Sequence, residues 1–332
     1  MTSKSIFIIR WWALATLLIC FMSYSQAQEN KLRGGWILDI ALLNDGDLLP
    51  VDHPLFSTQI VYRIDSDKIK INDIEMPAEY TDSTIVLGNR TLNYSFQHDY
   101  LCITEEGVSI TLCFLRKQNF IERYPAFQAK VAEINGRDVW VANALTAVEF
   151  NHEMNIHDFV LSNTPILKRK TSENLFLELD FIVDSASHIK DIVFLTAVPD
   201  KIQQQCIEAI KKAEKHYVNN AGREIAVNLC FNFFKMSDSM DNKDARRAFE
   251  LFQKGESYYS RGNFQNAIAE FEKAKSYDIN LKRYRGLFYK DLITHLGIAY
   301  LLTDQKEKAR DTFLILGDES NFDVRNFLRF YL

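Results

Sequence analysis

GESYYSRGNFQNAIAEFEKA (residues 255–274) and GIAYLLTDQKEKARDTFLIL (residues 297–316) are two copies of one pattern. Gly255, Tyr258, Ala267, Phe271 and Ala274 in the first have the spacing of Gly297, Tyr300, Ala309, Phe313 and Leu316 in the second. In each copy the Gly and Tyr fall on one predicted helix, and the Ala and Phe fall on the next. Small residues at Gly255 and Ala267 let two helices approach closely. Tyr258 and Phe271 are expected to fill the space between one hairpin and its neighbour. Such repetition points to stacked helical hairpins, each burying its apolar face against the next.

This small–aromatic–small–aromatic spacing resembles the tetratricopeptide (TPR) repeat, a helix–turn–helix unit of solenoids. The resemblance implies protein binding rather than chemistry. The copies lie 42 residues apart, against a usual period of about 34. The first hairpin is therefore expected to carry an extension within Ser276 to Tyr289. Ile279 stands where the family ends on proline. The array, residues 244–332, follows a polar linker from Met236 to Lys243, and Phe322 to Leu332 reads as a capping helix. Two repeats and a cap leave faces uncovered, so the array is expected to pack on the preceding domain or on a partner.

Residues 1–27 read as a signal peptide. Lys4 and Arg10 give a positive start, Trp11 to Met22 is a short apolar run, and Ser25 and Ala27 fit a cleavage site after Ala27. The run is short for a membrane span. A periplasmic or secreted chain, with no stable membrane span after cleavage, is expected. Leu18 and Ile19 precede Cys20 where a lipid-attachment motif needs a small residue.

The 332-residue length exceeds one ordinary core and suggests two or three domains. A net charge of −5 argues against nucleic acid as a partner. Four cysteines remain after cleavage: Cys102, Cys113, Cys206 and Cys230. In an oxidising compartment they can pair. A turn centred on Glu106-Gly107 places Cys102 and Cys113 on one face, diagonal rather than opposite, which leaves a bridge open. Cys206 and Cys230 read as small core residues on a helix and a strand.

Residues 28–117 read as short antiparallel strands. These are Ile37 to Leu43, opened by Gly35-Trp36, then Gln59 to Ile64, Lys68 to Ile71, Ser83 to Leu87, Thr91 to Phe96, Tyr100 to Thr104 and Val108 to Leu115. Turn clusters separate them, as expected of an antiparallel barrel. The Gly34-Gly35-Trp36 start and the run of about eight strands resemble the lipocalin-like domains of secreted bacterial proteins. The resemblance implies a ligand cavity, for which Trp36, Tyr62 and Phe96 are candidates. A small barrel filled by its own side chains is the competing expectation.

Residues 118–236 read as a small α+β domain, with 118–168 poorly assigned. Phe120 to Val131 has helical character interrupted by Pro125, and Val139 to Phe150 gives mixed signals. Leu175 to Asp184 alternates as a strand, Ser185-Ala186-Ser187 turns, and Ile189 to Leu195 is a second strand. Ile202, Cys206, Ile207, Ile210 and Ala213 mark a helix over Asp200 to Tyr217, with Lys211, Lys212 and Lys215 facing out. Arg223 to Phe234 closes the unit as a third strand.

Phe181-Ile182-Val183-Asp184 before the turn, Ile189-Lys190-Asp191-Ile192-Val193 after it, the helix ending at His216-Tyr217, and Gly222 before a strand ending in Phe233-Phe234 resemble the TonB C-terminal domain. Ser185-Ala186-Ser187 replaces the usual Asp-Gly turn, and Asn219-Asn220 stands where proline is common. The proline-rich spanning segment is missing, which puts energy coupling in doubt. What the resemblance implies is a sheet edge able to capture a partner strand. Residues 118–168 are the alternative cover for that edge.

His152, Glu153 and His157 do not form a zinc-protease motif. The histidines are five residues apart, so on a helix they point away from each other, and a solvated turn is the better reading. No phosphate loop, nucleophile elbow or CxxC is present, so no metal, cofactor or catalytic residue is assigned. Asn89-Arg90-Thr91 and Asn93-Tyr94-Ser95 match the glycosylation pattern, but a bacterial envelope chain is expected to leave them unmodified. Lys254, Glu256 and Arg261 read as a solvated helix face.

The expectation is a multidomain chain: an antiparallel β barrel-like domain, a small TonB-C-like α+β domain and all-α TPR-type helical hairpins. Its expected role is that of a non-enzymatic adaptor or scaffold binding a protein partner in the cell envelope. Tyr259, Phe264, Tyr289 and Tyr300 are the aromatic candidates for docking. The alternative is a carrier of a small apolar ligand in the N-terminal barrel.

Overall fold

In the N-terminal part, polar turns cut the chain into segments whose apolar residues alternate, and each becomes a strand. The computed structural model describes residues 31–332 except 73, 135, 144, 147, 169–174, 233–241, 280–283 and 285–287. The signal-peptide reading and most of the linker from Met236 therefore lie outside the described residues. The chain divides into two compact units, Met1–Pro125 and Ala126–Leu332.

The first unit contains β1 (Gly34–Leu43), β2 (Val61–Ile64), β3 (Lys68–Ile71), β4 (Ile74–Pro77), β5 (Glu79–Tyr80), β6 (Thr84–Leu87), β7 (Arg90–Gln97), β8 (Tyr100–Glu105) and β9 (Ile110–Arg116). They form one nine-stranded antiparallel sheet in the order β4-β3-β2-β1-β9-β8-β7-β6-β5. The two edge strands are consecutive in the chain, joined at the buried Ala78, so the sheet nearly closes on itself. The Ala78 amide donates to the Asp67 carbonyl, and the Tyr80 hydroxyl donates to the Lys68 carbonyl at 2.8 Å. Strands β4 and β5 escape the sequence reading because they are short and Pro77 interrupts them. Proline is tolerated there because an edge strand need not donate from every amide.

Side chains alternate across this sheet. Trp36, Tyr62, Ile69, Ile85, Leu92, Tyr94, Leu101, Ile103 and Phe114 pack together as the interior. Asp39 is the extra residue of a β-bulge, since Leu38 pairs with Phe114 and Ile40 with Cys113. Helix α1 (Lys117–Arg123) follows β9 and contacts β1 and β9.

The expected offset of Cys102 and Cys113 is corrected. Thr104 pairs with Thr111, and Cys102 stands directly opposite Cys113. The Val108 amide closes a turn onto the Glu105 carbonyl, and the Asn44 amide takes the Ser109 carbonyl. Val108 and Ser109 thus leave the β8–β9 ladder, the loop lengthens, and the register moves.

In the second unit come β10 (Lys130–Ile134), β11 (Arg137–Val141), β12 (Glu149–Phe150), α2 (Ile156–Asn163), β13 (Phe176–Val183), β14 (Ile189–Phe194), α3 (Asp200–Ala213), β15 (Tyr217–Val218) and β16 (Ile225–Asn232). A five-stranded sheet runs β10-β11-β16-β13-β14, and β12 pairs with β15. The helix expected over Phe120 to Val131 stops at Arg123. Pro125 breaks it, and the residues from Lys130 become a strand instead. Residues 130–141 belong to this second sheet, where β11 pairs in parallel with β16.

One face of this sheet is covered by α2 and α3. Leu177, Leu179, Phe181 and Val183 from β13 meet Phe159, Ile202, Cys206 and Ile210. Cys230 corrects the reading of it as a core residue. Leu229 and Phe231 point into that core, so Cys230 falls on the opposite face and is exposed.

The helical part has α4 (Lys243–Tyr259), α5 (Phe264–Lys275), α6 (Lys290–Leu302), α7 (Lys306–Phe313) and α8 (Phe322–Phe330). Asn242 and Asn263 cap α4 and α5 by accepting backbone N–H bonds. Helix α6 is buried on most sides and contacts α4, α5 and α7. Between α5 and α6, Ile279, Tyr284 and Phe288 are buried.

Candidate interaction surfaces

The two copies of the helical pattern close in the same way. A Cβ built on Gly255 would fall far inside contact with the Phe271 ring, and one on Gly297 would do the same with Phe313. Only glycine lets these rings lie on the facing helix backbone. The hairpin turns match too. Gly262 has φ +72° and its counterpart Asp304 has φ +58°. The next amide returns to the repeated tyrosine each time, Asn263 to the Tyr258 carbonyl at 3.0 Å and Gln305 to the Tyr300 carbonyl at 2.8 Å. Phe271 thus sits within its own hairpin, where the sequence reading places it between hairpins. Phe313 does both, stacking on Phe327 of α8 at 4.0 Å.

Polar side chains join successive hairpins. His295 Nδ1 lies 2.6 Å from Glu256 Oε1, and its ring stacks on Tyr259 at 4.8 Å. The Tyr300 hydroxyl donates to Glu272. Burial and the Glu272 carboxylate push the Tyr300 phenol well above its ordinary range. Glu270, itself buried, takes both Lys254 and Lys273 at 3.1 Å. Lys254 therefore holds a carboxylate across the hairpin as well as facing solvent.

Of the four aromatic docking candidates, Tyr289 and Tyr300 are buried inside the stack. Burial removes them from any docking surface of this conformation. Tyr259 and Phe264 are half-buried and meet edge to face at 5.5 Å beside the first hairpin turn.

The second candidate surface is the sheet of the α+β part. Its β16 flank is occupied by β11, and among the described residues the outer strands of the sheet are β10 and β14. Val193 and Leu195 are exposed at β14, at 45% and 50% of their full area. The turn leading into β14 is held by Asp184, which accepts from the Ala186 and His188 amides at 2.9 Å and from Lys190 at 2.7 Å. The Lys190 ammonium, with those two amides, holds the Asp184 carboxyl down at about 2. Ser187 takes the left-handed position, φ +70°, where a glycine is usual. Its hydroxyl accepts from the Asn219 amide at 2.9 Å. Asn219 is buried, and its Nδ2 donates to the Val183, Asp184 and Arg223 carbonyls. Lys211, Lys212 and Lys215 are exposed and rim an open depression beside this turn, with Glu214 and Tyr217.

The barrel interior is the third candidate. Trp36 and Tyr62 are buried and Phe96 is half-buried, all on the inner face. Trp36 lies 6.0 Å from Phe96, and Tyr62 stacks on Phe114 at 4.5 Å. Trp36 Nε1 donates to the Leu32 carbonyl at 2.7 Å. These side chains pack against one another in the barrel interior. On the outer face, Asp39 is 1% exposed and accepts from the Tyr100 hydroxyl at 2.7 Å and the Tyr124 hydroxyl at 2.8 Å. Arg123 pairs with it at 3.4 Å and also donates to the Tyr100 oxygen. The sequence reading misses this cluster, because nothing local marks Asp39 as a bulge residue.

His152 corrects the reading of a solvated turn. It is half-buried among Phe150, Phe159 and His216, with ring centroids 4.6 Å apart between the two histidines. Among the described residues no group of three His, Cys, Asp or Glu side chains is placed to hold a metal ion. No described helix is long and apolar enough to cross a membrane. Comparison with known family models, curated proteins and solved structures finds no match.

Proposed function

We propose that this chain is a non-enzymatic envelope adaptor that binds a protein partner through TPR-type hairpins, with the β14 edge as a second contact. The observation that supports it most is the repeated closure of the helical pairs, Gly255 on Phe271 and Gly297 on Phe313, with matching turns. Repetition of one close-packed hairpin is the construction of binding solenoids. The exposed Val193 and Leu195 on an unpaired strand edge fit strand capture of the TonB-C kind. The signal-peptide pattern of residues 1–27 is what supports a periplasmic or secreted adaptor. Ligand carriage in the barrel is the weaker reading, because Trp36, Tyr62 and Phe114 are already packed against one another.

The test is crosslinking capture from the native envelope with the full chain and two variants. Tyr259→Ser with Phe264→Ser removes the half-buried aromatic pair, and Val193→Lys with Leu195→Lys charges the strand edge. Loss of one specific protein with the first variant, at unchanged folding by circular dichroism, supports hairpin docking. Loss with the second alone moves the binding surface to the β14 edge. Identical recovery with all three chains sinks the adaptor reading.

A further inference from the structure

Two cysteines in this chain face each other directly. Cys102 on β8 and Cys113 on β9 are register partners in an antiparallel ladder. Directly opposite residues have Cα atoms about 4.5–5.5 Å apart, inside the range of about 4.4–6.8 Å that a disulfide spans. Their neighbours Leu101, Ile103 and Phe114 point into the barrel interior. The two sulfurs therefore share the other face of the sheet, and both residues are buried. Tyr100, on the same face of β8 as Cys102, bonds Asp39 together with Arg123 and Tyr124 from the end of α1. These bonds tie the start of β8 to β1 and to the helix that follows β9.

We propose that Cys102 and Cys113 are a cross-strand disulfide site, oxidised during folding by a disulfide-bearing oxidant such as oxidised glutathione or a thiol oxidoreductase. The Cys102 thiolate attacks one sulfur of the oxidant, forming a mixed disulfide and expelling a thiolate. Cys113 then loses its proton and attacks the Cys102 sulfur, expelling the second thiolate. The two cysteines lose two protons and two electrons, and the oxidant is reduced to two thiols. Cys102 is the better first nucleophile. Hydrogen bonding from the Cys113 thiol lowers its pKa, whereas that bond and burial raise that of Cys113. Both cysteines are buried in the fold, which shields the pair from bulky reductants. The inference stands on strand register and does not rest on the adaptor reading.

The sequence supplies a clean test. No Lys or Arg lies between the two cysteines, but Glu105 and Glu106 do. The full chain is reduced and unfolded, then refolded in a mixed reduced and oxidised glutathione buffer. Free thiols are trapped by alkylation in denaturant, and the chain is cut at glutamate. The expected result is a Cys102 peptide joined to a Cys113 peptide, separated on reduction, with Cys206 and Cys230 alkylated. Recovery of Cys102 and Cys113 as separate alkylated peptides overturns the proposal, as does joining of either to Cys206 or Cys230. A second readout is thermal. The midpoint of the wild-type chain should fall on reduction, and that of Cys102→Ser with Cys113→Ser should not respond to reductant.

Discussion

Asp39 keeps a carboxylate away from water, so its hydrogen-bonding and charged partners decide whether the barrel tolerates it. Arg123 reaches solvent, so removing Asp39 leaves chiefly the tyrosine hydroxyls without their acceptor, which costs about 1–3 kcal/mol. Asp39→Ala is expected to lower barrel stability by about that amount in urea titration, because the Tyr100 and Tyr124 hydroxyls lose their acceptor. The glycines separate two physical effects. Gly255→Ala drives a methyl group into the Phe271 ring, and overpacking of this kind costs about 1–3 kcal/mol. That loss outweighs the gain of about 1 kcal/mol in helix propensity. Gly262→Ala meets open space but must hold φ +72°, so it costs about 1 kcal/mol through the backbone alone. Chemical denaturation of both variants tests the contrast, and a stabilised Gly255→Ala chain would contradict the helix packing described above. Asn219 belongs to this scale as well. Its side chain ties the loop to the end of β13.

At the level of elements, the β13–β14 turn gives stability a pH dependence. Asp184 has its carboxyl depressed from 3.8 to about 2 in the fold. A depressed carboxylate contributes stability that is whole above its unfolded value and is lost as pH falls toward the folded one. The loss should therefore run from about pH 5 down to about pH 2. Lys190 is half exposed, so solvent screening holds the contribution to about 1 kcal/mol. Unfolding free energies of wild type and Asp184→Asn between those limits check this, and the variant should lose that part of the acid slope. The strands that alternate strongly, such as β7, β8 and β13, and the helices with periodic apolar faces were legible in the sequence because one residue's pattern reports its own burial. The Asp39 bulge, the Cys102–Cys113 register and the membership of β10 and β11 were not, since each depends on a partner distant in the chain. Tyr289 and Tyr300 show the same limit in the candidate site. The sequence reading named them as aromatics near the repeat surface without showing that neighbouring helices enclose them.

For the molecule as a whole, the second unit joins helices to the α+β sheet. Phe127, just before β10, meets Phe322 of α8 at 4.6 Å, and Lys130 pairs with Asp318 at 2.9 Å. A buried Phe truncated to Ala costs about 3–5 kcal/mol. Phe322→Ala is expected to weaken α8 and β10 together, which hydrogen exchange of the two segments would report as a shared loss of protection. Loss confined to α8 would show that the sheet does not lean on the hairpins. The parallel pairing of β11 with β16 has a consequence for how the chain is made. Trp140 and Ile225 are neighbours in the sheet but far apart in sequence, and β16 is also the strand that β13 needs. During synthesis, β11 and β13 must wait with open flanks until residues 225–232 emerge between them. Closing so long a loop is slow, so the nascent chain passes through a period when two strand edges invite the wrong partner. A chaperone that shields those edges would therefore matter most before the hairpins have been translated.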